Sequence, residues 1–327
     1  DNIKSSFSAK NGLISRIATF EEDSGLPLDL ANFVDYYHLD VRTIFSRANF
    51  ARLCVSAGVR EEFEEELEEI ISKALKRICA IDSRRWIAFL LDILPRLDKV
   101  DLKKLSPIQQ RMFQMFYITV WQKAIEDWES AEVKGNLALL SRNPVMLEEM
   151  MGLLRYNFDR IDFIDEPVNL GFESPLDLHC TYTRDQLLVA MDHMNPSNVR
   201  EGVKWLPEKK IDVLFVTLNK ADKDYSPTTM YNDYSINETL FHWQSQSTTG
   251  DHASTGQRYI KHRERGSNVL LFVREFKNDR IGAAPYTFLG LANYVQHVGS
   301  KPMNITWKLE RPIPARFLKK TNKLVVG

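Results

Sequence analysis

Cysteine is scarce in this sequence. Cys54, Cys79 and Cys180 are the three cysteines among 327 residues, and they stand far apart. An odd number without paired C-x-x-C spacing indicates neither a disulfide framework nor a zinc site. We therefore expect a protein of a reducing, cytoplasmic compartment.

Long hydrophobic runs are also lacking. No stretch approaches the roughly 18 consecutive apolar residues that a membrane-spanning helix needs, so we expect no membrane partner. The N-terminus, DNIKSSFSAK, has no signal-peptide core and begins with Asp1 instead of Met. These features predict a segment of a longer polypeptide.

Sequence signatures of catalysis are absent. The chain has no G-x-x-x-x-G-K-[ST] phosphate loop, no G-x-G-x-x-G and no H-E-x-x-H. No histidine is followed two residues later by lysine, which excludes the phospholipase-D-type nuclease signature. A Ser-His-Asp triad stays open because its members need only meet in space, but no nucleophile elbow supports one. We expect this chain to be no enzyme by itself, with no catalytic residues, metal or cofactor.

Two different periodicities divide the chain, whose length already favours two domains. Residues 1–170 predict helices: one over 60–81, and others that begin after Ser83, Ser106 and Asn143. Proline and glycine then cluster at 167–175, as in a linker. The fold class expected is α+β, with an all-α helical bundle over 1–170 and a second domain over 171–327.

The second domain carries strand signals. Buried strands are predicted over 211–218 and 268–273, and further strands over 239–246 and 285–291. MNITWKLE (303–310) alternates, which places Met303, Ile305, Trp307 and Leu309 on one face. Helices are expected after Thr183 and from about Thr255. Short strands with few helices favour a twisted β-barrel or closed sheet.

Charge is balanced overall but not along the chain. The net charge of −1 divides into about −8 over residues 1–180 and about +7 over 181–327. Such an asymmetry is typical of a protein whose basic half faces nucleic acid. A solvated basic surface is the alternative.

The most unusual composition lies at 222–249, DKDYSPTTMYNDYSINETLFHWQSQSTT. Aromatic rings there interleave with amides, hydroxyls and Asp233. A site that reads a base taken out of the duplex needs rings for stacking, and amides or a carboxylate for the base edge. The alternative is that the rings pack a core and SPTT forms a turn.

At this stretch the sequence resembles a known family. SPTTMYNDYSINETLFHWQSQSTT, TGQRYI and YTFLGLANYVQHVGSKPMNITWKLERPIP are similar to the domain of unknown function DUF3427, over nearly all of residues 180–327. That domain typically ends bacterial proteins that carry a nuclease and a helicase motor, including SauUSI-like type IV (modification-dependent) restriction enzymes. The resemblance implies a helical coupler over 1–170 and an SRA/PUA-like target-recognition barrel over 171–327. It also implies a bacterial cytoplasmic location.

The partners that this resemblance implies are double-stranded DNA containing 5-methylcytosine or 5-hydroxymethylcytosine, and helicase/ATPase and nuclease domains of the same full-length polypeptide. A PUA-like RNA-binding module and a protein-interaction module are the alternatives.

Site residues are assigned on their chemistry, because the resemblance supplies no pocket motif. The modified-base pocket is predicted from Tyr225, Thr229, Tyr231, Asn232, Asp233, Tyr234 and Trp243; Trp243 equally fits a place in the core. Base or DNA contacts are predicted for His242, Gln244, Ser245 and Gln246. Phosphate contacts are predicted for Arg258, Lys261, Arg263 and Arg265 on the following helix.

Overall fold

The computed structural model describes residues 9–219 and 233–321. The chain divides into two compact units, which are described separately below. The first, the helical unit, comprises residues 1–165 with 280–282; the second, the sheet unit, comprises 166–279 with 283–327. Helices precede the sheet along the chain, so the predicted α+β class is confirmed.

The helical unit consists of α-helices and short 3₁₀ turns. In its described part the helices are α1 (Lys10–Ser24), α2 (Leu30–Tyr36), α3 (Val41–Phe45), α4 (Phe50–Ser56), α5 (Glu68–Ile78), α6 (Arg84–Ile93), α7 (Pro107–Trp121), α8 (Ala131–Ser141) and α9 (Pro144–Asp159), with 3₁₀ turns at Leu94–Arg96 and Leu102–Lys104.

Two of the predicted helix starts are confirmed with their caps. The Ser83 hydroxyl accepts from the backbone N–H of Trp86. Ser106 and Gln109 form a reciprocal capping box at the start of α7. At α9 the start is confirmed, but Asn143 does not cap it. Its side chain instead accepts from the N–H of Leu67 and donates to Leu139 O.

The helix predicted over 60–81 begins only at Glu68. The acidic residues before it serve in contacts with other elements. Glu65 accepts from the N–H groups of Val145 and Met146 at 2.8 and 2.9 Å, and so caps α9 from a distance. Glu62 pairs with Arg52. These contacts hold residues 61–65 outside the helical register.

The described part of the sheet unit contains ten strands and three α-helices. One of these strands begins at Gly282, the last residue of the segment 280–282. The strands are β1 (Thr181–Tyr182), β2 (Val203–Leu206), β3 (Ile211–Asn219), β4 (Tyr234–Ser235), β5 (Leu240–Gln244), β6 (Asn268–Phe276), β7 (Asn278–Asp279), β8 (Gly282–Ala283), β9 (Tyr286–Val298) and β10 (Asn304–Leu309). The helices are α10 (Arg184–Ala190), α11 (Ser254–Ile260) and α12 (Ala315–Thr321), with a 3₁₀ turn at Pro196–Asn198.

The predicted closed barrel is wrong. Eight strands form one mixed sheet in the order β2-β3-β6-β9-β10-β5-β4, with β1 also paired to β9. In the described part of the chain, β2 pairs only with β3 and β4 only with β5, so the two edges do not meet. The β3–β6 pair is parallel and the others are antiparallel.

Strand β9 joins the two parts of the sheet. Its first half pairs with β6 and its second half with β10. Gly290, at φ +91°, lies near the changeover, where a Cβ would come within 2.8 Å of Leu178. Both faces of β6 are buried: Leu271 and Val273 belong to the core cluster of the sheet unit, whereas Phe272 stacks on Phe288 on the other face. The two-residue strand β4 ends the sheet.

That core is aromatic and lies on one face of the sheet. Met303, Ile305, Trp307 and Leu309 are all buried, so the alternation predicted for β10 is confirmed. They pack with residues of β3, β5, β6 and β9 in a single cluster. The opposite face of β5 and β10 is therefore left to polar residues.

No helix in the described part of the chain is long and apolar enough to cross a membrane.

Candidate functional site

Two short strands at one edge of the sheet position the centre of the candidate site. In the β4–β5 hairpin, Tyr234 lies opposite His242 and Ser235 opposite Phe241. Phe241 is completely buried in the core, so the alternation of the strand turns Leu240, His242 and Gln244 to the other face. The mixed apolar and polar residues of β5 thus lie on two different faces of the sheet, one in the core and one polar.

Tyr234 and His242 form an aromatic stack on the polar face. Their ring centroids are 4.8 Å apart and the ring planes are inclined by 16°. Both side chains are half-buried. The pair provides a flat surface at the edge of the sheet.

Asp233 lies beside this stack. Its Oδ1 accepts from the backbone N–H of Gln244 at 2.9 Å, which ties the start of β4 to the end of β5. The structure therefore brings two predicted pocket residues, Asp233 and Tyr234, next to two predicted base or DNA contacts, His242 and Gln244.

The polar face continues across β10 to β9. His242 lies opposite Thr306, and Thr306 opposite Gln296; Gln244 lies opposite Asn304. Gln244 Nε2 approaches Asn304 Oδ1 at 3.5 Å. We call the surface formed by Asp233, Tyr234, His242, Gln244, Asn304, Thr306 and Gln296 the polar sheet face. It offers amide and hydroxyl groups around one aromatic stack.

Trp243 is not on this face. It is 4% exposed and packs edge-on against Tyr259 at 5.4 Å and near Trp307 at 6.2 Å. Of the two orientations that the sequence left open, the structure has the core one, because alternation along β5 places Trp243 with Phe241. Trp243 therefore holds the sheet that carries the site and does not form a pocket wall.

Ser245 and Gln246 have different environments. The buried Ser245 hydroxyl accepts from the N–H of Met303 at 2.8 Å, and Oγ lies 3.2 Å from Gln246 O, so it joins β5 to β10. It is not placed to contact a base. Gln246 is exposed and donates to Glu201 at 3.1 Å.

Arg258 does not face phosphate. Its Nε and Nη2 donate to the two carboxylate oxygens of Asp212 at 2.8 and 2.9 Å, and Asp212 is completely buried. The guanidinium also lies over the Trp205 ring at 4.5 Å. The predicted phosphate contact is corrected here: Arg258 neutralises a charge inside the protein.

The other three predicted phosphate residues are exposed. Lys261, Arg263 and Arg265 lie at the end of α11 and in the turn beyond it. Arg263 donates to Tyr294 O at 2.9 Å, which fixes its direction. These cations form a basic surface.

Tyr225, Thr229, Tyr231 and Asn232 lie outside the described residues. Their place in the pocket stays a prediction from the sequence.

One constellation was missed by sequence reasoning. Tyr294 Oη lies 2.5 Å from His297 Nδ1, and His297 Nε2 lies 3.3 Å from Asp251 Oδ2. Because a carboxylate only accepts, the geometry fits a proton on Nε2 and a tyrosine hydroxyl that donates to Nδ1. Hydrogen bonds from Ser300, and then from His297, lower the pKa of Asp251.

A β-bulge creates this arrangement. Trp307 pairs with Tyr294 and Thr306 with Gln296, so Val295 is an extra residue in β9. The bulge turns Tyr294 and His297 to the same side, although they are three residues apart. No sequence pattern predicts the bulge. We assign the network a structural part, because it joins β9 to the loop before α11.

Among residues 9–219 and 233–321, no group of three or more histidine, cysteine, aspartate or glutamate side chains is arranged to hold a metal ion.

Residues 176–320 match the family model of DUF3427, a domain of unknown function. The DUF3427 match contains every strand of the sheet and the whole polar sheet face. Residues 1–165 of the helical unit lie outside it. No curated protein matches the chain significantly.

Proposed function

We propose that the sheet unit is a DNA target-recognition domain that reads 5-methylcytosine or 5-hydroxymethylcytosine in a duplex, with the base taken out of the stack. The observation that carries the proposal is the Tyr234–His242 stack beside the Asp233 carboxylate on a polar surface. Stacking on such rings contributes about 1–3 kcal/mol per base. A carboxylate accepts from the exocyclic amine of cytosine.

The polar sheet face suits bases better than phosphates. Gln244, Asn304 and Gln296 present amides, which donate and accept, whereas phosphate binding requires cations or backbone N–H groups. Exposed cations lie at Lys261, Arg263 and Arg265, and Lys308 follows Thr306 on the outer face of β10. These cations are the candidates for backbone contact, and the amides are the candidates for base contact.

The larger assembly is also part of the proposal. By its resemblance to type IV restriction enzymes, the helical unit would couple target recognition to a helicase motor and a nuclease elsewhere in the same polypeptide. The charge asymmetry between the halves supports a DNA-facing sheet unit and a coupler that does not face DNA.

The first test compares two labelled duplexes of one sequence, one with a central 5-methylcytosine and one without. Fluorescence anisotropy of the 327-residue chain should show at least about tenfold tighter binding to the modified duplex, which corresponds to the lower end of the cost of a wrong base. Equal affinity for both would contradict base reading. Stronger binding to an RNA duplex would favour the RNA-binding alternative, and no nucleic-acid binding would favour the protein-interaction alternative.

Asp233→Asn tests the site itself. Asparagine keeps an oxygen for the Gln244 N–H but presents an amide where the carboxylate accepted from cytosine. We expect the preference for the modified duplex to disappear while the unmodified duplex binds as before. Glu238→Gln is the matched control, since it removes an exposed acid from the same hairpin. Retained discrimination in Asp233→Asn would place the base elsewhere.

Lys261→Ala with Arg265→Ala tests the phosphate surface. The pair should weaken both duplexes alike and reduce the salt slope by about one per lost phosphate contact. Arg263 is left intact because it also bonds within the protein. Lys10→Ala with Lys99→Ala removes the same charge from the helical unit and should leave the slope unchanged.

A further inference from the structure

Strand β4 carries Tyr234 and is the weakest support of the polar sheet face. It has only two residues, against the roughly 3–10 of most strands. In the described part of the chain it pairs only with β5, opposite His242 and Phe241. So short a strand makes few backbone bonds, and the position of Tyr234 therefore depends on contacts outside the ladder.

A chain of two buried hydroxyls supplies such a contact on the core face. Ser235 Oγ donates to Thr321 Oγ1 at 2.8 Å, and Thr321 Oγ1 donates to Leu318 O at 3.1 Å. Each hydroxyl has one proton, so the two bonds run in a single direction from β4 into α12. Ser235 and Thr321 are 1% and 2% exposed. Water is therefore a poor substitute for either bond.

Helix α12 is fixed in place by the rest of the sheet unit. Its seven residues are too few for a helix that is stable by itself, but Phe317 and Leu318 pack against the core cluster. Just before the helix, the N–H of Ile313 donates to Glu238 O at 2.7 Å, in the turn between β4 and β5. The segment that contains α12 thus contacts the same hairpin twice, at its turn and at β4.

Thr321 is a polar residue on the buried face of α12. It shares that face with Phe317 and Leu318, at the spacing of one helical turn. A valine would suit contact with an apolar core, whereas a buried hydroxyl is favourable only when it is hydrogen-bonded. Ser235 provides that bond. The opposite face of the helix exposes Arg316, Lys319 and Lys320.

We propose that Thr321 is a positioning residue for the Tyr234–His242 stack, acting through Ser235. The inference rests on the proposed function, in which the stack receives the base. Successive residues of a strand point to opposite faces, so a shift of Ser235 on the core face moves Tyr234 on the polar face. A hydrogen bond fixes this position because it is directional, whereas an apolar contact is not.

The first test needs no DNA. The His242 ring is stacked on Tyr234, so the ring current of Tyr234 shifts the NMR resonances of the His242 ring protons. His242→Gln assigns these resonances, and Tyr234→Leu gives their positions without the stack. Thr321→Val should move them at least halfway toward those positions. Thr321→Ser keeps a hydroxyl and should restore them. Unchanged resonances in Thr321→Val would overturn the proposal.

The second readout is the ratio of affinities for the modified and unmodified duplexes. Thr321→Val should reduce this ratio at least about threefold, and Thr321→Ser should restore it. The matched control is Thr119→Val, because Thr119 is also a buried helix threonine, whose hydroxyl donates to Met115 O at 2.6 Å in the helical unit. It should change neither the ratio nor the His242 resonances.

Failure of the two proposals can be told apart. If the parent protein shows no preference between the duplexes, the proposed function fails, and the His242 resonances still decide whether Thr321 positions the stack. If the parent shows the preference and Thr321→Val keeps it in full, the positioning role is overturned while base reading stands.

Ser235→Ala with Thr321→Val separates positioning from stability. Thr321→Val alone leaves the Ser235 hydroxyl buried without its acceptor, which lowers the free energy of unfolding. The double variant removes both hydroxyls and should recover most of that stability. The duplex ratio and the His242 resonances should stay as in Thr321→Val, because the remaining contact has no preferred direction. Their recovery together with stability would mean that the pair only stabilises the fold, which would overturn the proposal.

Discussion

Each unit of this protein buries a carboxylate, and the two carboxylates differ in their hydrogen-bond partners. In the sheet unit, completely buried Asp212 receives two hydrogen bonds from Arg258. In the helical unit, Glu149 receives a backbone bond on one oxygen, while the other has no partner in the described part of the chain. The first arrangement is complete within the protein. The second lacks a donor.

The pKa values of both acids record the cost of burial. Burial raises the pKa of Asp212 even though the guanidinium of Arg258 lowers it. Burial raises the pKa of Glu149 to about 7, although the nearby backbone N–H groups of Ala51 and Phe50 lower it. A buried charge therefore remains costly even when it is paired. What distinguishes the two sites is whether the chain itself supplies the countercharge.

The largest effect is expected at the complete pair. Arg258→Ala leaves Asp212 buried without its cation, and breaking such a pair costs about 3–5 kcal/mol of the free energy of unfolding. Denaturant titration followed by circular dichroism measures the loss, and hydrogen exchange assigns it to the sheet unit. Lys261→Ala, an exposed cation beyond the same helix, is the control and should change little.

Removing both charges sharpens this result. Arg258→Met with Asp212→Leu should recover most of the stability, because a buried ion pair and an apolar pair of similar volume are often close in energy. If Arg258→Ala alone stays within about 1 kcal/mol of the parent, the pair does not hold the sheet unit together.

A smaller effect, of opposite kind, is expected at Glu149. Its pKa is raised in the folded state to about 7 from an ordinary 4.5. The folded protein thus binds a proton that the unfolded chain has lost, and its stability falls as the pH rises between these values. At about 1.4 kcal/mol per pH unit, the loss approaches 3 kcal/mol by pH 8.

Glu149→Gln removes this titration. Relative to the parent, the variant should gain about 3 kcal/mol in free energy of unfolding between pH 4.5 and pH 8. Denaturant titrations at both pH values measure the gain. If variant and parent differ in free energy of unfolding by the same amount at both pH values, the raised pKa of Glu149 is contradicted. The missing partner of Glu149 would then have no measurable effect on how stability depends on pH.

Sequence patterns predicted the helices and strands of this protein better than the contacts between them. Alternation in MNITWKLE placed Met303 and Trp307 in the core, and hydroxyl residues before helices marked Ser83, Ser106 and Thr183 as caps. Such signals are local, because the residues that interact are two to four positions apart. Asp233, Tyr234, His242 and Gln244 lie close together because one hairpin joins them; their part in a site stays a prediction.

Contacts between distant elements left no such pattern. Asp212 and Arg258 are 46 positions apart, so Arg258 resembled any exposed cation of a basic helix. The parallel β3–β6 pair and the strand order from β2 to β4 distinguish this open sheet from a barrel, and neither is encoded in the period of any one strand. The bulge at Val295 and the burial of Glu149 likewise depend on how finished elements pack.

The smallest expected effect tests whether the units differ in anything but buried charge. Each contains a capping box: Ser106 with Gln109 in the helical unit, and Thr183 with Gln186 in the sheet unit. Ser106→Ala and Thr183→Ala should each cost about 1 kcal/mol of the free energy of unfolding. Since the two caps share no partner, the double variant should lose the sum. Denaturant titration of the three variants measures this. One variant could instead lose several times more free energy of unfolding than the other. The two units would then differ in how strongly their helix caps stabilise them, and not only in how Asp212 and Glu149 are partnered.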